Sequence, residues 1–169
     1  ENGLWRRIYC ATSYCFHSKR IDFMKILLPV DGTDLSLHET RFALQLVREG
    51  LKASFVLVNV QEQATFYEIV TAQDPALIEN AAYEAGEDLI APSARLLTEA
   101  GVPFETAVAS GEPVNALLEL IELHHCDMVL MGSRALGPWR RLIEGASTSR
   151  KLIDESPVPV LLVKPPQDR

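Results

Sequence analysis

The residues best suited to chemistry lie in the stretch Met131–Ser149, MGSRALGPWRRLIEGASTS. Gly132 follows a short apolar run, Asp127–Met131, of the kind that forms a buried parallel strand. A glycine there lets another group come close to the backbone. Further on, the small-residue cluster Gly145-Ala146-Ser147-Thr148-Ser149 opens a helical stretch, Arg150 to Glu155. The first turn of a helix presents unpaired N–H donors, which suit an anion such as a phosphate. Together the two ends predict a phosphate cradle at the carboxyl edge of a parallel sheet.

Other chemistries fit less well. Gly132-x4-Gly137 has P-loop glycine spacing, but Pro138-Trp139 stands where that motif needs Lys and Ser/Thr. The dinucleotide fingerprint needs three glycines after the first strand, and only Gly32 is there. Ser110 sits in Ser110-Gly111-Glu112, not in a nucleophile elbow. No nucleophile–base–orienter set is visible, so weak ATP hydrolysis is the only activity left to weigh. His124-His125-Cys126 invites a metal reading, yet adjacent residues leaving a helix do not converge on one ion. The histidines read instead as helix C-terminal residues facing the dipole, and Cys126 as a small buried apolar side chain. Arg140-Arg141 reads as a solvated face, while Arg134 is within reach of a phosphate in the cradle.

The elements that must position this stretch alternate strand and helix. Lys25–Val30 is an apolar strand, followed by Asp31-Gly32 and a helix from Leu35 to Glu49 with Asp34 as N-cap. Ser54–Val60 is the second strand. Ala76–Ala100 is helical in composition, with Gly86 and Pro92 predicting a kink or two pieces. Phe104–Ala109 is an edge strand, and Pro113 opens the cleanest amphipathic helix, with Val114, Leu117, Leu118 and Ile121 on one stripe. Asp127–Met131 and Pro157–Lys164 complete five strands. Such alternation means a doubly wound parallel α/β sheet with helices on both faces, and ligands outside the strands' carboxyl ends.

At 169 residues, with 47% hydrophobic and 23% charged residues, the chain suits one globular domain. Its net charge of −7 argues against a nucleic-acid backbone as the main partner. No apolar run approaches a membrane span. Three cysteines, Cys10, Cys15 and Cys126, point to a reducing, cytoplasmic setting. Residues 1–23 show no sustained period and no cleavage-site pattern, and Met24 stands where a start codon would fall. They read as an extension ahead of a domain at 24–164, with 165–169 as a tail. The alternative is an arm that packs through Leu4, Trp5, Ile8, Tyr14 and Phe16.

The cradle resembles the ATP-binding signature of the universal stress protein family: Gly, two residues, Gly, nine residues, then Gly-Ser/Thr. Gly132 and Gly145 match the first and third glycines, Ala135 replaces the second, and Ala146 replaces the Ser/Thr. The resemblance covers Met24 to about Lys164. It implies strand order 3-2-1-4-5, an adenine nucleotide alpha hydrolase-like fold, and an ATP site, with Mg2+ only as the nucleotide's companion. Asp31 would lie by the nucleotide, Pro29 and Val30 would supply backbone contacts, and the Val60 backbone would read the adenine edge, with Met131 and Gly132 at the end of the fourth strand. Ser133, Arg134, Ala135, Gly145, Ala146, Ser147 and Thr148 would line the phosphates. It also implies a homodimer through the fifth strand, Val158–Val163, and a regulatory role in stress response. The alternative is an interaction module of the same fold that binds no nucleotide and acts through protein partners.

Overall fold

The computed structural model describes residues 23–61, 75–132 and 148–164, with the side chains of 75–79 and 148–150 outside that description. Five strands, β1 (Met24–Pro29), β2 (Ala53–Gln61), β3 (Phe104–Ser110), β4 (Met128–Gly132) and β5 (Val160–Val163), form one parallel sheet. Their order is β3-β2-β1-β4-β5, as the resemblance implies. Helices α1 (Asp34–Arg48), α2 (Pro75–Glu99), α3 (Pro113–Leu123) and α4 (Thr148–Glu155) connect or follow them.

The strands are nearly continuous apolar runs because both faces of the sheet are covered. Alternate residues supply two separate cores. Ile26, Leu28, Phe55, Leu57 and Leu130 pack with Ala43, Leu44, Ile90 and Leu97 of α1 and α2. Leu27, Val56, Val58, Val129 and Met131 pack with Val114, Leu117, Leu120 and Ile121 of α3 and Leu152 of α4. Each fully buried side chain of this size stabilises the fold by roughly 1.5–3 kcal/mol.

Several boundaries differ from those the sequence predicts. The N-cap of α1 is Thr33, whose hydroxyl accepts from the Ser36 N–H, and Asp34 is the first helical residue. Gly132 is the last residue of β4 rather than the first of the loop. The fifth strand is four residues long, shorter than the apolar run that contains it. The stretch around Gly86 and Pro92 is one helix rather than two pieces. A Cβ on Gly86 would stand 2.6 Å and 2.9 Å from the methyls of Val108. Gly86 is therefore where α2 closes onto β3, and close packing outweighs the weak helix propensity of glycine.

Candidate functional site

The strand order reverses between β1 and β4, because β1 leads to β2 on one side while β4 continues to β5 on the other. Sheets of this kind hold ligands in the crevice at that point, outside the carboxyl ends. β1 ends at Pro29 and delivers Val30 and Asp31 to the crevice; β4 ends in it at Gly132, which pairs in register with Val163 of β5.

Asp31 is fixed by its own turn. Its Oδ1 accepts from the Thr33 N–H at 3.0 Å and from the Thr33 hydroxyl at 2.6 Å, the Asx geometry that aspartate adopts ahead of a helix. Its Oδ2 is buried and has no hydrogen-bond partner among the described residues. Gly32 makes the turn possible. Its φ is +75°, and a Cβ there would stand 2.6 Å from the Leu89 side chain on α2.

Val30 is buried, and its main chain is already engaged. Its N–H donates to the Val58 carbonyl at 2.7 Å, and its carbonyl accepts from Asn59 Nδ2 at 2.8 Å. Val60 lies near the end of β2, buried in the core under α3 and paired in register with Ala109. Met131 is also buried, in that same core. The structure thus brings Pro29, Val30, Asp31, Val60, Met131 and Gly132 to the carboxyl ends of three adjacent strands. Thr148 opens α4. Ser133, Arg134, Ala135, Gly145, Ala146 and Ser147 lie outside the described residues.

Sequence reasoning missed Glu39. It is fully buried on α1, and of the five buried polar side chains among the described residues it is the one without a hydrogen bond. Burial disfavours its charged form and pushes its carboxyl up to about 8. The Gly132 main-chain N–H is near enough to oppose that rise, and the charge of Asp31 adds to it. The available signal was positional: Leu35, Glu39, Phe42, Ala43 and Leu46 share one helical stripe, so a glutamate occupies a core-facing position.

A second polar group sits at the opposite, amino edge. Lys25 Nζ lies 2.9 Å and His124 Nδ1 3.1 Å from the Glu105 carboxylate. The Lys25 hydrogen bond and then that of His124 hold the Glu105 carboxyl below its ordinary value. His124 caps α3, and His125 follows with φ 52°, so this is helix-end chemistry; among the described residues no cluster of three or more His, Cys, Asp or Glu is poised for a metal. Cys126 is buried, and burial pushes its thiol up to about 11, as for an inert core cysteine. A groove lined by Arg41, Leu44, Arg48, Leu96, Glu99 and Ala100 lies towards the C-terminal ends of α1 and α2, away from the crevice.

The universal stress protein family model matches residues 22–164. The chain belongs to the universal stress protein family. Among curated relatives in that family, a universal stress protein of Methanocaldococcus jannaschii is 27% identical over 145 residues, 86% of this chain and 84% of that one. A universal stress protein of Thermus aquaticus is 32% identical, covering 84% of this chain and 99% of the relative. A solved universal stress protein family structure from Arabidopsis thaliana, with AMP bound, superposes with a TM-score of 0.63 at 18% identity, covering 86% of this chain and 94% of that one. That likeness establishes the shared fold. No helix among the described residues is long and apolar enough to cross a membrane.

Proposed function

We propose that this chain binds an adenine nucleotide, ATP with any Mg2+ carried on its phosphates, in the β1–β4 crevice. It acts as a dimeric regulatory protein of stress response in the cytoplasm. Residues 24–164 form the functional domain, flanked by 1–23 and 165–169.

One observation carries the reading. Asp31 presents a buried carboxylate oxygen, without a partner among the described residues, at the strand-order switch point. An orphaned acceptor calls for a donor, and the nucleotide groups that donate are the ribose hydroxyls and the adenine amine. A phosphate would be repelled there, so Asp31 takes the nucleoside end. The phosphates then fall to Gly132, Ser133, Arg134, Ala135, Gly145, Ala146, Ser147 and Thr148. Pro29, Val30, Val60 and Met131 supply walls and backbone edges. The AMP in the Arabidopsis relative lends support.

A second reading, an interaction module without nucleotide, draws on the acidity of the crevice: Glu39 buries its carboxyl group and Asp31 one carboxylate oxygen at the end of the sheet where a polyanion would have to sit. The two readings separate on the protein as purified. Adenine nucleotide released on denaturation, at close to one per chain and lost in Asp31→Ala, supports the first. Protein free of nucleotide that also fails to take up ATP supports the second.

A further inference from the structure

Glu39 is the one buried side chain at the crevice whose chemistry the nucleotide reading leaves unused. Its two carboxylate oxygens lack hydrogen-bond partners among the described residues, and Asp31 contributes a third buried, unpartnered oxygen at the same end of the sheet. Glu39 also neighbours the Gly132 main chain, the group placed nearest an incoming phosphate. An ionised Glu39 would hold a negative charge beside that donor and compete with the phosphate for it. In a low-dielectric setting such like-charge contact is costly. A neutral carboxylic acid reverses the relation, because its O–H donates to the anion.

We propose that nucleotide binding in this crevice requires Glu39 as a neutral acid, a hydrogen-bond donor beside Gly132, so that binding draws in a proton wherever pH has ionised it. The inference rests on the nucleotide reading above and adds a residue and a proton to it. Below the Glu39 transition the proton is already in place; above it, the proton comes from solvent, resides on a Glu39 carboxyl oxygen while the nucleotide is bound, and returns when it leaves.

The surroundings of Glu39 favour this assignment. α1 packs against α2 and β4. From α2, Ser93 meets Thr40 and Leu89 meets Gly32, while Glu84, Glu87, Asp88 and Arg95 are exposed. β4 carries no titratable side chain. On α1 itself Asp34 and Arg41 are exposed and His38 is half-buried. Among the described residues, Asp31 is the charged group whose field reaches Glu39, and its sign favours the neutral acid. Burial acts in the same direction and is the larger influence, and together they outweigh the Gly132 N–H, which favours the ionised form.

The test is calorimetric titration of ATP into the full chain from pH 7.5 upward, where ATP itself no longer changes protonation. Each point is measured in two buffers of different ionisation enthalpy. The expected result is proton uptake that is small at pH 7.5 and rises towards one per nucleotide above the Glu39 transition, where affinity falls about tenfold per pH unit. Glu39→Gln, a permanent neutral donor, should bind with a flat profile and no proton uptake. The wild-type profile stands even if the variant folds poorly, and an infrared carboxylic-acid band that persists in the nucleotide-bound wild type at a pH where the nucleotide-free protein has lost it is a second sign. Binding without proton uptake and without pH dependence overturns the inference and leaves the nucleotide reading intact. No binding by either form at any pH overturns both.

Discussion

Gly86 and Val108 meet so closely that no side chain fits between them: a Cβ at position 86 would stand 2.6 Å from one Val108 methyl and 2.9 Å from the other. Gly86→Ala would gain about 1 kcal/mol of helix propensity. It would lose roughly 1–3 kcal/mol to overpacking against β3. The expected outcome is a net fall in stability on chemical denaturation. Adding Val108→Ala makes room, so the double variant should lose less than the sum of the two single changes. Strict additivity would show that the contact does not set the position of α2.

Glu39 predicts a pH dependence of stability that needs no ligand. Its carboxyl is raised from 4.5 to about 8 in the folded chain, so the folded state keeps a proton that the unfolded state has given up. The stability tied to that proton is fully present below the unfolded value and is lost as pH rises through about 8. The loss is on the order of a few kcal/mol across that window. Urea denaturation at pH 5 and pH 8.5 measures it. In Glu39→Gln this part of the slope should vanish, and parallel wild-type and variant profiles would contradict the assignment.

The fold was largely legible because five apolar runs, each bounded by turn residues, must become buried parallel strands. The order of those strands came from the resemblance, since an apolar run such as Val129–Met131 carries no record of its neighbours. Gly86 and Pro92 left one helix or two pieces open because propensity sees only the helix, whereas the reason for Gly86 lies across space in Val108. Thr33, not Asp34, caps α1 because Asp31 turns the chain first and puts the Thr33 hydroxyl over the helix start. In the candidate site, Asp31 and Gly132 stood out at strand ends. Glu39 did not, because a single glutamate in an amphipathic helix looks like surface until its register is set against Leu35, Phe42 and Leu46.

The proposed dimer also has a direct test. β5 lies at the margin of the sheet, paired on one side with β4, and Leu162 is 37% exposed on it. An apolar edge strand is a template for a second copy, and like-with-like pairing gives a two-fold dimer. Sedimentation at micromolar concentration should show a dimer for the wild-type chain. Leu162→Lys should shift it towards monomer with little change in melting temperature, since the side chain is not in the core. A wild-type monomer would remove β5 as an interface.

The central claim is that the crevice between β1 and β4 holds an adenine nucleotide. Two substitutions against the family signature, Ala135 and Ala146, would weaken the phosphate end of such a site. If position 135 requires a left-handed backbone, Ala135 costs roughly 1–2 kcal/mol relative to glycine. If the family hydroxyl at 146 bonds a phosphate, Ala146 forfeits about 0.5–1.5 kcal/mol. At about 1.4 kcal/mol per decade, the two together approach a hundredfold in affinity. Calorimetric titration of ATP into the wild-type chain and into Ala135→Gly/Ala146→Ser measures this directly. The account predicts saturable binding to the wild type at one nucleotide per chain and binding up to about a hundredfold tighter in the double variant. No binding to either protein would contradict it and leave a fold that acts through protein contacts alone.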